Sequence, residues 1–113
     1  MLINKDINFV RGNTYVLDIS INNLSVNIDK MYFTLKEKAK NKEFIIQKTL
    51  GHGIENIENN LYRLTIDADD TEELFYDNAY GYDIKIIMGD IKKTIITGTL
   101  TLSKNYTRKE NEV

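Results

Sequence analysis

Two stretches of period-two alternation joined by a glycine turn constrain this chain more than any other feature. From Tyr80 to Met88, the residues Tyr80, Tyr82, Ile84, Ile86 and Met88 fall on one side, with Asp83 and Lys85 on the other. Gly89-Asp90 follows, a two-residue turn with glycine first, which suits a type II′ hairpin. Ile91 to Leu102 then returns, with Thr94, Ile96, Gly98, Leu100 and Leu102 on one face and Lys93, Thr97, Thr99 and Thr101 on the other. A helix cannot bury such a set, because its side chains repeat about every 3.6 residues and a strand's every two. Glycine within the return strand predicts a bulge or a close neighbour at Gly98.

The same period recurs upstream. Ile7 and Phe9 alternate with polar neighbours, and Thr14 to Ile21 aligns Tyr15, Leu17, Ile19 and Ile21 opposite Asp18 and Ser20. Asn22-Asn23 then marks a turn. Lys30 to Lys36 places Met31, Phe33 and Leu35 inward, with Tyr32, Thr34 and Lys36 outward. The run Lys36 to Lys42 has no apolar stripe and is predicted as a solvated hairpin tip, not a helix. A strand at Glu43 to Leu50 precedes Gly51-His52-Gly53, which opens a long polar loop to Asn60 whose Ile54 and Ile57 dock on the sheet edge. Leu61 to Ile66 alternates again, with Tyr62, Leu64 and Ile66 on one side. Asp67 to Phe75 contains Asp70 three residues before Glu73, a capping-box spacing that predicts one helical turn.

The sum is about seven short strands, and the leading architecture is an all-β, immunoglobulin-like two-sheet sandwich with one short helical turn. A five- or six-stranded barrel is the other arrangement that fits. The 113 residues divide into a sandwich over 1–102 and a polar arm over 103–113.

Composition narrows the function classes. With 15 Lys+Arg against 17 Asp+Glu, the formal charge is −2, which argues against a nucleic-acid groove. Without cysteine there is no disulfide frame, thiolate nucleophile or Cys-based zinc site. The start Met1-Leu2-Ile3-Asn4-Lys5-Asp6 lacks the basic and apolar pattern of a signal peptide, and no apolar run reaches membrane-spanning length. These features predict a soluble protein made in a cytoplasm.

The candidate sites are few. His52 is the sole histidine, and a loop position between two glycines gives a catalytic base no orienting partner. The acidic cluster Asp67, Asp69, Asp70, Glu72, Glu73 and Asp77 offers hard oxygen ligands for calcium but lacks the EF-hand order. Carboxylates at the first turn of a helix are also favoured by capping and by the macrodipole. Asp83 beside Lys85 is expected in an exposed cross-strand ion pair. Of the tyrosines, Tyr15, Tyr62, Tyr80 and Tyr82 lie on core faces, whereas Tyr32, Tyr76 and Tyr106 are possible exposed contacts for a sugar ring. A tyrosine near the start of a late strand also commonly ties its hydroxyl to nearby backbone in such sandwiches. No phosphate loop, nucleophile elbow or dinucleotide fingerprint is present, and no residue is nominated as catalytic, metal-ligating or cofactor-binding.

Between Ile66 and Thr107 an ordered set appears: Ile66, Asp67, Asp70-Thr71, Leu74, Tyr80-Gly81-Tyr82-Asp83-Ile84, Gly89, Thr94, Gly98 and Thr99-Leu100-Thr101-Leu102. This resembles the immunoglobulin-like domain of tailed-phage baseplate upper proteins and related small virion proteins. Phe9-Val10-Arg11-Gly12-Asn13-Thr14 is similar to the family's Gly-Asp-Thr start, with Asn13 in place of Asp. The resemblance implies a non-enzymatic bacteriophage structural protein, made in the host bacterial cytoplasm and resident in the virion. It implies docking on capsid, tail or baseplate proteins, in many copies on a symmetric assembly. The chain stops at Val113, where baseplate upper proteins continue into a linker and a receptor-binder-carrying domain, so an accessory role is the one implied. The alternative is a carbohydrate- or calcium-dependent surface-binding module, motivated by Tyr32, Tyr76 and the Asp67–Asp77 cluster.

Overall fold

A computed structural model describes residues 2–21 and 27–112. Its elements are β1 (Ile3–Asn4), β2 (Ile7–Val10), β3 (Tyr15–Ser20), β4 (Lys30–Lys36), β5 (Ile46–Leu50), β6 (Gly53–Glu58), β7 (Leu61–Ile66), α1 (Ala68–Thr71), β8 (Ala79–Met88) and β9 (Ile91–Ser103). A 3₁₀ turn at Lys109–Asn111 follows. No helix among the described residues is long and apolar enough to cross a membrane.

The strands form one continuous hydrogen-bonded sheet, curled into the two layers of a sandwich. One runs β9-β8-β4-β5, with β1 and β2 both lying parallel to β9 at its edge. The other runs β6-β7-β3. They are stitched where the chain crosses from β5 to β6, which pair in parallel over only Thr49↔Gly53 and Leu50↔Ile54. Hydrogen bonding is therefore continuous around one side of the sandwich, so the sheet curls instead of ending twice.

Alternation explains the core. Met31, Phe33 and Leu35 of β4 are fully buried, as are Leu64 and Ile66 of β7 and Leu100 and Leu102 of β9. Tyr80, Tyr82, Ile84, Ile86 and Met88 of β8 are buried against them. Full burial of one such aliphatic or aromatic side chain contributes about 1.5–3 kcal/mol relative to exposure. The β8–β9 hairpin closes at Met88↔Ile91, with positive φ at Gly89 and not at Asp90, as a type II′ turn requires. The Gly89 N–H also donates to Asp29 Oδ2 at 2.7 Å.

Several local expectations change. Residues 53–58 form strand β6 rather than a loop. The pairing with β7 shifts register between Asn56 and Glu58, and only Ile54 is buried, so alternation is interrupted at Ile57. The strand expected from Glu43 begins at Ile46, and a two-residue β1 precedes β2, giving nine strands among the described residues instead of about seven. The helix cap is Asp67, three residues earlier than Asp70: the Asp67 N–H donates to Asp70 Oδ2 at 2.7 Å, so Asp70 plays the third-residue role and Glu73 none. A register shift between Ile84 and Lys85 puts Thr94 opposite Lys85, on the outer face and not the core face. The Asn22-Asn23 turn lies outside the described residues.

Gly98 has the close neighbour its position implied. It pairs with Tyr82 across the β8–β9 ladder, and a side chain there would overlap the backbone carbonyl of Lys5, where the chain passes between β1 and β2.

Candidate functional site

Side chains that alternate away from the core gather on the outer face of β4, β5, β8 and β9. Register fixes who meets whom: Lys85 stands opposite Tyr32, and Asp83 lies between Thr34 and Thr97. Gln47 on β5 pairs with Thr34, and its amide donates to Thr34 Oγ1 at 3.1 Å. The β4–β5 connection folds Lys42 and Phe44 over one flank, closing a groove of about 540 Å³. Lys36 is positioned on that flank by donating to the Asn41 carbonyl at 2.7 Å. Lys92 borders the opposite side, across from Ile87.

The groove's electrostatics run against those of the chain. Lys36, Lys42, Lys85 and Lys92 line it with Asp83 as the sole carboxylate, in a protein of formal charge −2. Among the described residues, none of these four lysines forms an ion pair. The ion pair expected at Asp83 does not form either, because its cross-strand partners are threonines.

The acidic segment has a different fate. Lys48 Nζ lies 2.7 Å from Asp70 and 3.7 Å from Asp67, and Lys109 Nζ lies 3.2 Å from Asp69. Glu72 is buried and accepts from the Lys109 N–H at 3.1 Å. Asp67 and Asp70 thus share Lys48 while Asp69 faces Lys109, and no group of three or more metal-ligating side chains forms among the described residues. The segment after β9 contributes to this neutralisation through Lys109, which reaches back onto α1 and its C-terminal flank.

Beside α1 lies a polar knot that joins three distant sequence segments. The Gly12 N–H donates to Oγ1 of the fully buried Thr71 at 2.9 Å. Arg11 donates to the Leu74 carbonyl at 2.9 Å and to Asn105 Oδ1 at 3.0 Å, and its guanidinium lies 5.0 Å from the Tyr76 ring centre. Lys104 Nζ lies 5.7 Å from both the Tyr76 and the Tyr106 rings, so these two exposed tyrosines share one corner. Tyr32 stands apart from them in the groove.

The remaining singled-out residues are structural in their surroundings. His52 is exposed, and its backbone exchanges hydrogen bonds with Thr49 at the β5–β6 crossing. Tyr80 accepts from the Phe75 N–H at 3.1 Å, the backbone tie expected of a tyrosine at the start of a late strand. Tyr82 donates to the Lys5 carbonyl at 2.6 Å, and burial pushes its hydroxyl up to about 12. Tyr15 is likewise raised by burial and stacks on Phe9 with ring centres 4.9 Å apart.

Sequence reasoning found Tyr32, Asp83 and Lys85 separately but missed the groove. Strand register, which unites them, has no local signal, and the contribution of Lys42 and Phe44 depends on how the hairpin tip folds back.

No family model and no curated protein matches the sequence. Among solved structures, the chain is similar to the extracellular domain of the voltage-gated sodium channel beta4 subunit. The TM-score is 0.54 at 11% identity, covering 90% of this chain and 92% of that one. The fold is immunoglobulin-like. The NK cell receptor Nkp44 aligns comparably, with TM-score 0.54 and 10% identity over 89% of this chain and 97% of that one. The first of these is described as a parallel homodimer with a role in cell–cell adhesion, and the second as a triggering partner in natural cytotoxicity. At such identities the likeness establishes architecture alone.

Proposed function

We propose that this chain is a non-enzymatic accessory protein of a bacteriophage virion, docking through its sandwich on capsid, tail or baseplate proteins. One observation carries the reading: the two sequence segments that resemble phage virion domains meet through two hydrogen bonds. Gly12, from the Arg11-Gly12-Asn13-Thr14 start, donates to Thr71, from the Asp70-Thr71…Leu74 turn, and Arg11 caps the Leu74 carbonyl. The resemblance therefore falls on residues that cooperate in space, which scattered coincidences would not do. The fold supports a binding role because it presents long solvent-facing strands with no catalytic constellation among the singled-out residues.

Mass spectrometry of purified virions from the source phage tests this. The chain should be present in many copies per particle, and antibody labelling in electron micrographs should then place it on head or tail. Virions free of the chain would overturn the proposal.

A further inference from the structure

We infer that the outer groove across β4, β5, β8 and β9 is a binding site for an acidic glycan, a sugar chain bearing carboxylate, phosphate or sulfate groups. Charge is the first ground. Lys36, Lys42, Lys85 and Lys92 converge on the groove without carboxylate partners among the described residues, whereas Lys48 and Lys109 elsewhere are neutralised by Asp67, Asp69 and Asp70. Unpaired cations concentrated on one concave face attract anions, and an anion held there forms charge-assisted hydrogen bonds.

The chemistry between the lysines selects a sugar over an acidic peptide. An extended peptide gains much of its affinity by pairing backbone with an open strand. The two central strands of the groove offer none: β4 is paired with both β5 and β8, and β8 with both β4 and β9. What remains for recognition is side chains. Tyr32 and Phe44 supply aromatic surface for the apolar face of a ring, while Asp83 and Gln47 supply an acceptor and an amide for hydroxyls. The volume of about 540 Å³ lies within the ordinary range for small-ligand clefts.

The experiment is an NMR titration of the full ¹⁵N-labelled chain at low salt with four probes: oligogalacturonate, sulfated dextran oligosaccharide, neutral dextran and poly-glutamate. The acidic sugars should shift the amides of Thr34, Gln47, Asp83 and Lys85, and neutral dextran should not. The carboxylate and sulfate probes distinguish which anion is preferred. The double variant Lys36→Glu/Lys85→Glu should weaken acidic-sugar binding by about tenfold or more, while Lys109→Glu, on the acidic corner, should leave it unchanged. Should the double variant lose its dispersed spectrum, Lys85→Gln alone gives the same readout with a smaller loss. The inference is overturned by any of four results: no shift with either acidic sugar, shifts mapping outside the groove, equal binding of neutral dextran, or undiminished affinity in a folded variant. Poly-glutamate binding as tightly as the sugars would also overturn it and assign the face to an acidic protein. None of these outcomes depends on whether the chain is found in virions.

Discussion

The hydroxyl of Tyr82 donates to the backbone carbonyl of Lys5 at 2.6 Å, across the gap left by the missing side chain of Gly98. Three distant segments thus meet at one point. Tyr82 and Gly98 face each other in the β8–β9 ladder, and Lys5 links the two short strands that lie along β9. The Lys5 N–H donates to the Thr97 carbonyl at 2.9 Å, so the linking residue is held from both sides.

Gly98→Ala should therefore destabilise the protein by about 1–3 kcal/mol, the range for forcing extra volume into a packed site. The obstructing group is backbone, which cannot rotate away as a flexible side chain would. Tyr82→Phe should cost about 0.5–1.5 kcal/mol by removing the hydrogen bond alone. Urea denaturation of both variants checks the order: Gly98→Ala should be the more damaging, and an equal or smaller loss would argue that β1 and β2 contribute little.

Alkaline pH reads the same contact. Burial raises Tyr82 from the usual 10.0 to about 12, so the folded state keeps a proton that the unfolded chain gives up. Between these values the unfolded state binds fewer protons than the folded one, and stability must fall as pH rises. The contribution is complete below about pH 10 and gone above about pH 12. Urea midpoints measured across this window should decline in the wild type and decline less in Tyr82→Phe. A residual slope is expected from Tyr15, which burial also raises.

Much of this architecture is legible in the sequence because alternation depends on order, not on composition. Met31, Phe33 and Leu35 announce their strand, and all three are fully buried. What fails is whatever interrupts the period. Strand β6 is unreadable because Glu55, Asn56, Ile57 and Glu58 are all exposed, leaving Ile54 as the lone inward signal. Thr94 lands on the wrong face because one register shift beside it reverses the parity. The groove is illegible for another reason: the pairing of Tyr32 with Lys85 spans more than fifty residues and is set by the packing of whole strands.

On the opposite layer, Arg63 donates to both oxygens of Asp18, at 2.8 and 3.1 Å, between directly paired residues of β3 and β7. That hydrogen bonding holds the Asp18 carboxyl below its usual 3.8. A depressed carboxylate contributes its stability above the unfolded value and loses it as pH falls through the folded one. Because both groups are exposed, the effect on overall stability should be slight and screened by salt. The sharper check is NMR titration of Asp18, whose midpoint should rise in Arg63→Met and also at high ionic strength.

Thr71 offers the most direct test of the polar knot. It is fully buried, and its hydroxyl is the partner of the Gly12 N–H. Thr71→Val keeps the shape but leaves that N–H without an acceptor, and orphaning this half-buried donor should cost about 1 kcal/mol, the low end of the range for a fully buried one. Asp69→Ala, two residues away and exposed with only the Lys109 pair to lose, should stay within about 0.5 kcal/mol of wild type. Hydrogen exchange adds a local readout, since Gly12 amide protection should fall in Thr71→Val more than protection in the β4–β8 ladder. Uniform loss across both would instead mean that the knot unfolds only with the whole sandwich.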